Sequence, residues 1–367
     1  MSRRTASPGG AADREDAPFE PTLPAAHARW PEETAAFARG FDRGALRVVT
    51  WNLQLLPGTF AGQGGCPASL ERRAKRIVDN VLALARATRV DVVAFQEVWH
   101  EGAARALRAG LRALFPHQHR PAAYCGLLTV TRAGLPHAHA RFEPFRNTAG
   151  VEGWWFTKGV AAVVVETEEA TRENPYSVEP FAVLNAHAQS DFWASGAATR
   201  ASQMTQTREM LNEMARERYA RLDSRDSACD ACDMSDMTTL LVGDLNVAAG
   251  SEEYRAAMRA LGDPTDILAA DARVGTDAFT FPIGAYVSTT FEAFPLCSMG
   301  SESFGAYVPK TPTKRLDHAL RFRKRGDNRR AGEKKAASAA IVLAGLARGE
   351  DGAPLSDHAP IFAVVRG

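Results

Sequence analysis

ALRVVTWNL (45–53) and VDVVAFQEV (90–98) are short β-branched runs that each end in polar residues. Between them Leu70, Ala74, Ile77, Val78, Val81 and Ala85 recur at helical spacing, with Ser69 placed as a cap and Glu71 in the first turn. The spacing predicts a strand, helix, strand unit, and the rest of the chain continues it. A helix is expected near 101–115, then strands near 122–130, 159–166 and 180–187. A long helix follows from about 198 to 218, whose face of Met204, Thr207, Leu211 and Met214 reads as core rather than as a binding surface. MTTLLVGDLN (237–246), a helix in SEEYRAAMRAL (251–261) and the strands RLDHALRF (315–322) and APIFAVV (359–365) complete the pattern. Strands interleaved with helices predict α/β layers.

The whole-chain numbers set outer bounds. At 367 residues a large core is available, on one domain or two. Forty-four Lys and Arg against 43 Asp and Glu leave a formal charge of +1, so no bulk electrostatic pull toward nucleic acid exists. Residues 1–42 are rich in Pro, Gly, Ala and charge and carry no secretory signal; they are expected to form a disordered leader before a single catalytic domain, 43–367. The run AASAAIVLAGLA (336–347) falls short of the roughly 20 residues of a membrane span, so the chain is expected to be soluble, touching membranes only from outside. The compartment stays open. Five cysteines form no disulfide framework; Cys229 and Cys232 sit in an acidic insertion loop, 221–237, as plain thiols, a local disulfide or, less simply, a metal or redox pair.

Polar residues recur at strand ends: Asn52, Gln96 and Glu97, His187, Asp244 and Asn246, with Asp357 and His358 just before the last strand. In α/β proteins ligands gather where side chains leave the packed sheet for a crevice, so these positions predict one shared site. Each alone has a plainer reading, a core histidine, a surface Asp-His or an ordinary Gly-Asp turn; the set does not. Asn52, Glu97, Asp244 and Asp357 offer hard oxygens for an open Mg²⁺ site that binds substrate phosphate. Strand alternation would put Asp244 and Asn246 on one side. Asp317 is a candidate orienter of His358, since a general base needs a partner on its second ring nitrogen. Two histidines, four acids and two Asn fit phosphoryl chemistry, and no GxSxG, P-loop or GxGxxG motif competes.

The ordered motifs TWNLQ, DVVAFQEV, NAHAQSD, VGDLNV, RLDHAL and LSDHAPI resemble those of the endonuclease, exonuclease and phosphatase superfamily, the deoxyribonuclease-like metal phosphodiesterases. The resemblance implies a four-layer α/β sandwich of two mixed β-sheets flanked by helices. It also implies Mg²⁺ at Glu97 and Asn52, His187 and His358 as acid and base, and Asp244 and Asn246 holding water and phosphate. HAQSD, RASQMTQTREM, WWFTKGV and GDLNVAAGSEEYRAAMRAL are similar to segments of the neutral, sphingomyelinase C type enzymes. That finer likeness implies hydrolysis of sphingomyelin to ceramide and phosphocholine, with a metal-dependent nuclease or another phosphodiesterase of the superfamily as the alternative. His318 stands where relatives carry Tyr, a change expected to matter little because Asp317 is kept.

Substrate contacts are expected from Lys158 and Gln189. His358 is assigned as base and His187 as donor, with the reverse open. The expected partner is sphingomyelin at a bilayer surface, with no nucleic acid and no obligate protein. Trp154, Trp155 and Phe156 are either an interfacial aromatic cluster or core. YVSTTFEAFPL (286–296) and the basic run 321–335 are further surface candidates.

Overall fold

The computed structural model describes residues 30–39, 41, 44–56, 67–122, 124–150, 152–165, 180–190, 195–222, 237–270, 285–286, 307–308, 314–322, 338–343 and 355–366. The leader before Trp30, Asp191, the Cys229 and Cys232 loop, residues 287–296 and the basic run beyond Phe322 lie outside them. In chain order the elements are α1 (Trp30–Arg39), β1 (Leu46–Leu55), α2 (Pro67–Thr88), β2 (Val92–Val98), α3 (Glu101–Leu111), β3 (His117–His119), β4 (Leu128–Thr131), β5 (His139–Pro144), α4 (Glu152–Trp155), β6 (Gly159–Val165), β7 (Phe181–His187), α5 (Gly196–Leu222), β8 (Thr238–Asp244), α6 (Glu252–Ala260), β9 (Thr265–Asp266), α7 (Ile267–Ala270), β10 (Ala285–Tyr286), β11 (Tyr307–Val308), β12 (Asp317–Phe322), β13 (Ser338–Val342) and β14 (Ile361–Val365).

Two six-stranded sheets carry the fold, ordered β13-β14-β1-β2-β4-β3 and β5-β6-β7-β8-β12-β9, with β10 and β11 a separate pair. Each large sheet has one parallel pair, β1 with β2 and β7 with β8. Parallel neighbours need a helical crossover, supplied by α2 and α5. The remaining pairings are antiparallel, so both sheets are mixed.

Side-chain alternation builds the layers. From β1, Val49, Trp51, Leu53 and Leu55 pack outward with Leu70, Ile77 and Val81 of α2 and Leu107 of α3. Leu46 and Val48 face the other way, meeting Val183 of β7 and Leu240 and Val242 of β8. On the far side Leu184 and Leu241 pack under Met204, Leu211 and Met214 of α5 and Met258 of α6. The order is therefore helices, sheet, sheet, helices, the expected sandwich, and burying each large apolar side chain contributes roughly 1.5–3 kcal/mol.

The same period of two ends the inner core and begins the site. Val48 is followed on its face by Thr50 and Asn52, Ala94 by Gln96, Val183 by Asn185 and His187, and Val242 by Asp244, all of them buried. Gln96 Nε2 donates to Asn185 Oδ1 at 2.7 Å, tying the two sheets, while Asn185 Nδ2 donates to the Phe95 carbonyl. A buried amide left unpaired costs about 1–3 kcal/mol, so this bridge fixes how the strand ends face each other.

Four local expectations change. Residues 30–39, placed by composition in a disordered leader, form α1; Phe37 packs on Phe362 with ring centroids 5.9 Å apart. Phe37 and Ala38, packed on the core, give α1 an apolar face that outweighs the Pro- and Gly-rich composition upstream. Helix α2 begins at Pro67, two residues before Ser69, because proline suits a first helical position. Trp154 and Trp155, read as an interfacial cluster or core, lie in the single helical turn α4 and are exposed rather than packed in the core. β8 stops at Asp244, and Asn246 has φ 54°, so the two do not alternate along a strand.

Candidate active site

Cross-strand register assembles the site. Asp244 lies opposite His187 across β7–β8 and opposite Asp317 across β8–β12. Gly243, just before it, has φ 132°, and a Cβ there would stand 2.1 Å from the Ala186 carbonyl oxygen, so only glycine lets β7 and β8 approach this closely. From the other sheet Asn52 pairs in register with Gln96, and the chain then turns through left-handed residues, Gln54 at φ 49° and Glu97 at φ 57°. The segment before β14 is held to β1: Trp51 Nε1 donates to the His358 carbonyl at 3.0 Å, and Ser356 Oγ donates to the Asn52 carbonyl at 2.6 Å.

The carboxylates converge. Asn52 Nδ2 donates to Glu97 Oε1 and to Asp244 Oδ2, each at 3.0 Å, and Gln54 Nε2 donates to Asp357 Oδ2 at 3.0 Å. Burial pushes the Glu97 pKa up to about 7, with the Asp357 charge adding to the rise. Burial also raises Asp244 and Asp357. Three carboxylates desolvated together make a site in want of positive charge. Glu97, His187 and Asp244 bring ligand atoms within 4.8 Å of one another, as do Asp244, Asp317 and His358. The donor set of Glu97, Asp244 and Asn52 fits a divalent cation, the Asn52 amide lying between the two carboxylates.

Two imidazoles flank one carboxylate oxygen. His358 Nδ1 is 2.8 Å from Asp317 Oδ2, leaving Nε2 pointed at Asp244 Oδ2, 3.7 Å away. His187 Nε2 stands 3.8 Å from the same oxygen and 3.7 Å from Glu97 Oε1. Burial alone would lower the His358 pKa, but Asp317, Asp244 and Asp357 outweigh it and hold the pKa well above the usual value. His187 goes the other way: burial, then the charges of Lys158 and His358, keep it neutral. Burial and charge thus push the two imidazoles in opposite directions, His358 up and His187 down.

Asn246 does not share a strand face with Asp244 but closes a turn with it. Its backbone N–H donates to Asp244 Oδ1 at 2.9 Å, and Nδ2 donates to the Ala188 carbonyl at 3.1 Å. Lys158 is buried; its Nζ donates to the same Ala188 carbonyl and pairs with Glu152 at 2.9 Å. Gln189 is likewise committed, accepting from Ala149 N and donating to Glu152 Oε2 at 2.8 Å. Asn52, Glu97, His187, Asp244, Asn246, Asp317, Asp357 and His358 are thus drawn together, whereas Lys158 and Gln189 are tied to Glu152 beside them. Sequence reading missed Gln54, Glu152 and Ser356, none of which has a spacing signal. It also undervalued His318, whose Nε2 lies 2.8 Å from the Val247 carbonyl and whose Nδ1 faces Asp266 at 3.5 Å.

A carboxylate pocket suited to a divalent cation, two histidines and an acid-oriented imidazole, set where two mixed sheets meet, define a metal-dependent phosphoric ester hydrolase of the four-layer sandwich class. The chain belongs to the Endonuclease/Exonuclease/phosphatase family, whose model matches residues 49–358. Sphingomyelinase C from Streptomyces griseocarneus is similar in structure, with a TM-score of 0.51 at 21% identity, covering 88% of this chain and 99% of that one. A Staphylococcus aureus beta toxin mutant with bound magnesium ions has a TM-score of 0.55 at 16% identity, covering 88% and 100%. TDP2 from C. elegans has a TM-score of 0.53 at 13% identity, covering 99% and 100%. No curated protein matches the chain in sequence.

Proposed function

We propose that this chain is a Mg²⁺-dependent phosphodiesterase of the phospholipase C type that hydrolyses sphingomyelin to ceramide and phosphocholine. The observation that carries the reading is the pair of histidine Nε2 atoms flanking Asp244 Oδ2, set against an aromatic path to the surface. His187 lies 5.4 Å from the Trp99 ring, Trp99 lies 4.2 Å from Phe156, and beyond it Trp154 and Trp155 are 83% and 59% exposed. Aromatic side chains of this kind settle at lipid headgroup level, which suits a bilayer substrate. The likeness to sphingomyelinase C supports the choice of lipid.

Water attacks phosphorus in line, its proton passes to His358 Nε2, and the bond from phosphorus to the ceramide oxygen breaks as His187 protonates that oxygen. Asp317 orients His358 and stabilises the imidazolium that forms. Asp244 and Asn246 position water and phosphate. Glu97 and Asn52 would hold Mg²⁺, which when bound would supply charge neutralisation at the phosphoryl oxygens and offset the carboxylate charge that raises the His358 pKa. The anionic phosphodiester in turn favours protonation of His187. Both shifts run toward the assigned roles.

The test is incubation with sphingomyelin liposomes, phosphatidylcholine liposomes and plasmid DNA, each with Mg²⁺ and with chelator. Mg²⁺-dependent phosphocholine release from sphingomyelin, lost in His187→Ala, is expected. DNA nicking without lipid turnover would instead support the second reading, a metal-dependent nuclease or other phosphodiesterase of the family, which the equal structural likeness to TDP2 favours.

A further inference from the structure

Three histidines that the site does not use meet at an edge of the sandwich. His117 and His119 are two apart on β3, so they point to one side of the edge strand. His137, in the loop before β5, faces both: its ring centroid is 6.2 Å from that of His117 and 6.5 Å from that of His119.

The hydrogen bonds fix which nitrogens are free. Thr131 Oγ1 donates its proton to the Leu135 carbonyl at 2.7 Å, so toward His137 Nε2, 3.1 Å away, it can only accept. Nε2 therefore carries the hydrogen and Nδ1 the lone pair. His119 is bonded to the Arg141 backbone, and its Nε2 is buried without a hydrogen-bond partner. A histidine anchored through one nitrogen and bare at the other has the arrangement of metal-bound imidazoles, whose second nitrogen is held by an outer partner. Burial lowers His119, and burial together with the neighbouring histidines lowers His137 to about 4, so both are neutral ligands at neutral pH.

We propose that His117, His119 and His137 form a transition-metal site, for Zn²⁺ or a metal of similar preference, that clips the β3 edge of one sheet to the segment leading into the β5 edge of the other. Imidazole donors without a carboxylate select such ions over Mg²⁺ or Ca²⁺. With Zn–N bonds of about 2.0–2.1 Å, ring centroids sharing one tetrahedral ion stand about 5 Å apart. The rings here stand wider apart, so metal uptake has to draw them together by about 1–1.5 Å.

The test uses the full chain freed of metal, with Glu97→Gln to remove the principal carboxylate of the catalytic pocket, and Zn²⁺ measured by competition with a chromogenic chelator. One Zn²⁺ per chain is expected to disappear when His119→Ala or His137→Ala is added, together with the rise in thermal midpoint that Zn²⁺ produces in the parent. If His119→Ala does not fold by circular dichroism, His117→Gln reads the same site through at least tenfold weaker binding. Uptake unchanged by all three substitutions, or no uptake by the Glu97→Gln chain, overturns the proposal. Neither result bears on the phosphodiesterase reading, since the two sites share no residue.

Discussion

His187, at the end of β7, and His358, in the segment before β14, reach the same Asp244 oxygen, and leaving-group basicity separates their roles. A proton donor contributes ~10²- to 10⁴-fold only when the departing oxygen is a poor leaving group. His187→Ala should therefore lose about that factor on sphingomyelin yet recover most of its turnover on nitrophenyl phosphocholine, whose phenolate leaves unaided. His358→Ala should stay impaired on both. If the two variants exchange behaviour, the assignment is reversed. These two histidines were legible because each closes an apolar run and keeps a place in an ordered set. Lys158 and Gln189 were legible as members of motifs but not as contacts, since their direction depends on direct bonds to Glu152 of α4, a residue unmarked in sequence.

At the scale of elements, the turn from β8 is braced from behind by a buried network that spacing alone could not reveal. Arg315 makes two bonds to Asp266, at 3.0 and 2.7 Å; Tyr254 donates to the same carboxylate, and His318 bridges it to the Val247 carbonyl. Burial alone would raise the Asp266 pKa, but the bonds from His318 and Arg315 and their charges outweigh it and hold the carboxyl well below its ordinary range. A depressed carboxylate stabilises the fold fully above its unfolded pKa of about 3.9, and that contribution is lost as pH falls further toward the folded value. Asp266→Asn should cost roughly 3–5 kcal/mol at pH 7, because a buried guanidinium loses its partner. In urea unfolding the gap from the parent should narrow below about pH 4; a gap independent of pH would contradict this account. The strands β3 and β5 escaped notice for a different reason: HQH and HARFEP are edge strands with no continuous apolar face to announce them.

For the whole molecule, the α/β class was legible because helical spacing separates β1 from β2 and β7 from β8, and because the inner-face alternation that fills the core also ends it. The two-sheet closure rests on contacts far apart in the chain, Gln96 to Asn185 and Asn52 to Asp244 among them, which no local pattern encodes. Among the described residues no helix is long and apolar enough to cross a membrane. If the exposed turn α4 instead rests on a lipid surface, Trp154→Ser with Trp155→Ser should weaken binding to sphingomyelin vesicles by roughly tenfold or more, while turnover of a soluble nitrophenyl substrate is kept. Vesicle sedimentation alongside the soluble assay checks both halves. The left-handed backbone at Gln54 and Glu97 carries one more consequence. Each non-glycine residue there gives up roughly 1 kcal/mol that glycine would not. A library of this gene selected only for heat tolerance should therefore accumulate Glu97→Gly, and with it lose turnover: endurance and chemistry compete for the same codon.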